Sequence, residues 1–168
     1  MPARAAALWR DCGRASISVG SRLAHETSCM SDRYFVDTNI LVYAHERSAG
    51  PKHVRAQQLM EELWSTGQGV LSTQVLQEFC VSVRRNATHP MRADELRGLL
   101  QDYSRWRVVI NTPESILRAL EIESRFRISF WDALIVQAAE EADAAVLYSE
   151  DLASGQRYGS VRVINPFV

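Results

Sequence analysis

Tyr34-Phe35-Val36-Asp37-Thr38-Asn39-Ile40-Leu41-Val42-Tyr43-Ala44 is the stretch on which the fold turns. Residues 34–36 are a short bulky run of the kind that forms buried parallel strands. The run ends at Asp37, an acid at a strand-to-helix junction. Four further runs of the same kind follow: Val70-Leu71, Val108–Ile110, Ala144–Tyr148 and Val161–Ile164. Helix signals fill the gaps between them. Pro51 opens one helix, which carries Val54, Leu59, Leu63 and Trp64 and stops at Gly67. Thr73 is placed to cap the next, with Val75, Leu76, Phe79, Cys80 and Val83. Leu96, Leu99, Leu100 and Tyr103 mark a third. Thr112 and Pro113 supply the cap and first residue of a fourth, and Ser129 with Asp132 resembles a capping box for a fifth.

Strands alternating with helices predict βαβ units with right-handed crossovers, hence an α/β fold with a parallel sheet covered by helices on both faces. The chain has 168 residues, of which 46% are hydrophobic and 23% charged, a composition suited to one globular domain. No apolar run approaches the ~20 residues needed to cross a bilayer, which fits a cytoplasmic protein. Cys12, Cys29 and Cys80 have no paired spacing, so neither a disulfide scaffold nor a cysteine zinc site is expected. A net charge of −1 gives no global field for nucleic acid. Residues 1–30 stand apart, with four arginines against two acids and no strand pattern. They read as a disordered extension or as a misassigned start, with Met30 just before the first convincing element; their composition also resembles a transit peptide. The domain is expected over residues 31–168.

Ligand sites in open α/β sheets lie beyond the carboxyl ends of the strands. Asp37 follows the first strand, and Ser149, Glu150 and Asp151 follow the fourth. Glu78 lies one to two turns into the helix after the second strand. Asp132 lies in the first turn of the helix leading into the fourth. Asp37, Glu78, Asp132 and Asp151 can therefore converge at one edge. Carboxylates packed together repel one another, and a divalent cation relieves that repulsion. Oxygen ligands alone suit Mg²⁺ or Mn²⁺, ions that polarise phosphate oxygens and support in-line attack by water. Each acid also has a plainer role. Asp37 and Asp132 can act as helix caps, and Asp151 as a turn residue. Glu78 falls off the apolar stripe of its helix, near Ser82 and Arg85, as a solvated charge would.

Four blocks in this order resemble the PIN-domain nucleases: Phe35-Val-Asp37-Thr38-Asn39-Ile-Leu-Val-Tyr43-Ala, Ser72-Thr-Gln-Val-Leu-Gln-Glu78-Phe, Ser129-Phe-Trp131-Asp132-Ala-Leu-Ile and Leu147-Tyr-Ser149-Glu150-Asp151-Leu. The pattern spans essentially all of residues 33–168. It is most similar to the VapC-type toxins of type II toxin–antitoxin pairs. That resemblance implies a Rossmann-like parallel sheet and an Mg²⁺- or Mn²⁺-dependent endoribonuclease. It implies that Asp37 and Asp132 hold metal. Glu78 and Asp151 complete the site, orient the attacking water or hold a second ion. Thr38, Asn39 and Ser149 support the acids by hydrogen bonding. It further implies a homodimer inhibited by a cognate antitoxin.

Arg84, Arg85, Arg105, Arg107, Arg125 and Arg127 are candidates for contact with RNA phosphates, each otherwise a solvated charge. Phe130 and Trp131 can stack on a base or join the core. Other enzymes that place an aspartate after the first strand fit poorly. Haloacid dehalogenase phosphatases and receiver domains both need a late lysine, and Lys52 is the only lysine. No Gly-rich nucleotide loop is present. The alternatives to a toxin are an inert RNA- or protein-binding module and a solitary RNA-processing nuclease.

Overall fold

A computed structural model describes residues 32–85 and 89–168; the extension expected at residues 1–30 lies outside them. The strands are β1 (Arg33–Val36), β2 (Gly69–Ser72), β3 (Arg107–Val109), β4 (Ala144–Tyr148), β5 (Arg157–Tyr158) and β6 (Val161–Ile164). The helices are α1 (Thr38–His45), α2 (Pro51–Thr66), α3 (Thr73–Arg85), α4 (Ala93–Tyr103), α5 (Pro113–Phe126) and α6 (Phe130–Glu141). The strands form one sheet in the order β3-β2-β1-β4-β6-β5. The chain builds outward from β1 through β2 to β3, then returns to place β4 on the other side of β1. The order therefore reverses between β1 and β4, where open α/β sheets form their crevice.

Every pairing is parallel except β5 with β6. The expected parallel sheet is thus present, and β5 adds an antiparallel edge strand that the sequence reading does not include. Two residues are too short to show a period, and Gly159, at φ 56°, turns the chain straight back into β6. The cap assigned to Thr73 is corrected. Thr73 is the first helical residue, and Ser72 Oγ accepts the Val75 N–H at 3.3 Å instead. Thr73 Oγ1 is turned to the Asn111 N–H at 3.2 Å. The other signals fall as read. Gly67 ends α2 in the left-handed region, and Thr112 and Ser129 each cap their helix through a side-chain oxygen.

Phe35, Val36, Ile40, Leu41, Phe79 and Leu147 are fully buried and lie on β1, α1, α3 and β4. The elements that carry the candidate acids are thus fastened by the centre of the core. Burial of side chains of this size contributes roughly 1.5–3 kcal/mol each. On one flank His45, Trp64, Phe79 and Trp106 each meet the Tyr103 ring edge to face, while the His45–Phe79 and Trp64–Trp106 pairs are tilted, tying α1, α2, α3 and α4 together.

Candidate active site

The register of β1 against β4 sets the site. Val36 lies opposite Tyr148, and the Asp37 N–H donates to the Tyr148 carbonyl at 3.0 Å. The next residues, Asp37 and Ser149, therefore emerge side by side. Ser149 Oγ donates to Asp37 Oδ2 at 2.7 Å. Asp37 also caps α1, its Oδ1 accepting the Thr38 N–H at 2.6 Å. The capping role and the site role thus belong to the same carboxylate, at the positive end of a helix dipole.

Asn39 joins two acids. Its Nδ2 donates to Asp37 Oδ2 at 3.1 Å and to Asp151 Oδ2 at 3.0 Å. Its Oδ1 accepts the Glu150 N–H at 3.4 Å, which fixes the loop after β4. Thr38 Oγ1 donates to Glu78 Oε2 at 2.6 Å, and Gln74 Nε2 donates to Glu78 Oε1 at 2.9 Å. Glu78 is therefore drawn into the cluster and held at both oxygens. Thr38, Asn39, Val42, Tyr43, Glu78, Ser82 and Asp151 line an open groove of about 360 Å³.

Asp37 is only 7% exposed. Burial pushes its carboxyl up to about 6, and the charges of Asp151 and Glu78 push the same way. The hydrogen bonds from Ser149 and Thr38 pull it partly back. Glu150 behaves differently. Lys52 pairs with it and holds its carboxyl below the usual range, and Tyr43 assists. Among the described residues Asp37, Glu78, Asp132 and Asp151 take part in no ion pair. The donors that orient Asp37, Glu78 and Asp151 are all neutral, so these acids keep their charge for something else. That donor set suits a hard divalent cation.

Asp132 stands somewhat apart. Its Oδ2 accepts from Ser129 Oγ at 2.8 Å, and its charge adds to the burial that raises the Tyr158 phenol. It is linked to the cluster through Gln74, whose Nε2 also donates to the Trp131 carbonyl at 3.2 Å. Among the described residues no three acidic, imidazole or thiol side chains are close enough to chelate an ion directly. Mg²⁺ does not need such a cage, since it keeps several waters and takes one or two carboxylates. The arginines sit elsewhere: none of Arg84, Arg85, Arg105, Arg107, Arg125 and Arg127 lines the groove. Arg84 lines a separate hollow with Leu96 and Leu100. Trp131 is 61% exposed at the head of α6 and so is not a core residue. Sequence reasoning missed Gln74, Tyr43 and the Lys52–Glu150 pair. The i,i+4 spacing of Gln74 and Glu78 was the available signal for the first.

An acidic groove at the switch point of an α/β sheet defines a class of site. The particular family follows from comparison: the chain belongs to the PIN domain family, which it matches over residues 34–154. No curated protein is similar enough in sequence to count as a match. Its fold is shared with several solved structures. One is Mycobacterium tuberculosis VapC20, a sarcin–ricin-loop-cleaving toxin (21% identity, TM-score 0.56, covering 69% of this chain and 88% of that one). Another is a toxin–antitoxin complex from Klebsiella pneumoniae (16%, 0.59, 79% and 97%). A third is VapBC2 from Rickettsia felis, bound to a DNA fragment from its promoter (19%, 0.54, 77% and 96%). No helix among the described residues is long and apolar enough to cross a membrane.

Proposed function

We propose that this chain is a metal-dependent endoribonuclease and the toxin of a toxin–antitoxin pair. One observation carries the reading. Asp37, Glu78 and Asp151 are gathered at the switch point by neutral donors alone, while the adjacent Glu150 is neutralised by Lys52. Acids gathered without counter-charge are a strained arrangement unless they serve a cation. Of Asp37, Glu78 and Asp151, one or two would hold Mg²⁺ or Mn²⁺ directly, and the rest, like Asp132, would reach it through its bound waters. Such an ion, when bound, polarises the scissile phosphate and offsets the charge that develops there. Ser149, Thr38 and Asn39 fix the directions of the carboxylates, so little reorganisation is needed as charge moves. Asp151, exposed at the rim, accepts the proton of the attacking water.

The toxin role is supported by fold neighbours that are toxins or toxin–antitoxin complexes. The expected partners are RNA, a cognate antitoxin and a second copy of the chain, in the cytoplasm. Ile116, Leu117 and Leu120 are exposed at helical spacing on α5 and suit an interface between copies. The test is to incubate the purified, partner-free protein with total RNA in Mg²⁺, Mn²⁺ or EDTA. Discrete fragments with 5′-phosphate ends are expected with metal, and none with EDTA. Fragments with 2′,3′-cyclic phosphate ends, or cleavage that survives EDTA, would overturn the proposal.

A further inference from the structure

Gln74, in the first turn of α3, is 3% exposed, so nearly all of its amide is inside the protein. Its Nε2 spends both donor directions on acceptors from different elements: Glu78 Oε1 at 2.9 Å and the Trp131 carbonyl at 3.2 Å. These two acceptors fix which way round the amide stands, since the reverse would set oxygen against oxygen. Its Oε1 is then buried without a hydrogen-bond partner among the described residues. Burial alone does not account for glutamine here. An apolar side chain of the same length would fill the space and leave no oxygen unpaired. The Trp131 carbonyl is one residue from Asp132, in the first turn of α6. Gln74 is thus a strut between the Glu78 carboxylate and the turn that carries Asp132.

We propose that Gln74 is a positioning residue for the cation site, holding Glu78 in register with the start of α6 without neutralising it. The inference rests on the metal-dependent reading of the groove. A lysine or arginine at this position would orient Glu78 equally well but would cancel the charge that attracts the cation. An amide orients the carboxylate and leaves its charge intact. Thr38 does the same at the other oxygen, so Glu78 is held from two sides by uncharged donors.

The test is direct Mn²⁺ binding, read from the paramagnetic resonance of the free ion, on the full chain and on Gln74→Met. Methionine keeps the length and removes the donors. The dissociation constant is expected to rise by roughly 10–100-fold, the usual effect of removing a partner that orients a ligand. The melting temperature is expected to stay near that of wild type. In a Glu78→Gln background, Gln74→Met is expected to weaken binding by no more than about 2-fold further, because the two act as one unit. If Gln74→Met is too unstable to assay, Gln74→Asn replaces it; the shorter amide cannot span both acceptors and is expected to weaken binding likewise. Unchanged Mn²⁺ affinity in the variant, or losses that multiply in the double variant, would overturn the positioning role while leaving the site itself intact. Absence of Mn²⁺ binding by wild type would instead overturn the metal reading on which this rests.

Discussion

Replacing Asp37 with asparagine removes a charge from a place where the metal-free protein holds it at a cost. The native carboxyl is raised from 3.8 to about 6 by burial first and by Asp151 and Glu78 after it. The folded state therefore binds a proton more tightly than the unfolded chain. The resulting stability is present below the unfolded value and is lost as pH rises through about 6. Between about pH 4.5 and pH 7.5 the loss amounts to about 2 kcal/mol. The side chain introduced by Asp37→Asn titrates nowhere and escapes that loss. It has a penalty of its own, because its amide nitrogen faces Asn39 Nδ2, a donor against a donor. That penalty, about 1–3 kcal/mol, is the same at every pH. The clean quantity is thus the change with pH of the difference between the two proteins. Titration of His45 is common to both and cancels. For a folded body of this size, about 2 kcal/mol corresponds to a swing of roughly 6–10 °C in relative melting temperature. Thermal melts of both proteins in EDTA at the two pH values read it directly. Asp37→Asn should gain on wild type by that amount on going from the lower pH to the higher. An unchanged difference would refute the claim that Asp37 is buried among like charges.

Other outcomes follow from the same geometry. Glu150→Gln should leave RNA cleavage within a few-fold of wild type, whereas Asp151→Asn, one residue on, should lower it by roughly 100-fold or more, as measured by initial rates at saturating Mn²⁺. His45, lowered from 6.5 to about 4 by burial and then by nearby His53, stays neutral in the fold while the unfolded chain takes up a proton. Stability it contributes should be lost as pH falls from 6.5 towards about 4, by up to about 3 kcal/mol, and denaturant melts of wild type and His45→Phe over that range should separate accordingly. Gly69→Ala should lower stability by about 1–3 kcal/mol, because the added methyl meets the Trp106 ring and must displace it; the loss would show in the midpoint of urea unfolding.

The sheet was legible because its strands are short β-branched and aromatic runs bounded by caps and breakers. Asp37, Ser149 and Asp151 were legible because parallel strands deliver their carboxyl ends to one edge. Glu78 was harder. Its helical wheel sets it with Ser82 and Arg85, which is correct, but a wheel shows only which face is apolar. It does not show that the polar face borders a groove, and Thr38, forty residues earlier, decides that. The diversion of Glu150 to Lys52 spans 98 residues and leaves no local trace. β5 escaped because two residues cannot display alternation. Trp131 looked like core from its helix, yet its position at the first turn turns it to solvent.

The most direct test of the metal-dependent site is cleavage of RNA by wild type and Asp37→Asn, side by side at saturating Mn²⁺, with both proteins shown by melting to be folded. Wild type should cleave, and the variant should lose roughly 100-fold or more. Equal cleavage by the two would contradict the assignment, because the carboxylate that Ser149 and Asn39 fix beside the groove would then have no part in the chemistry.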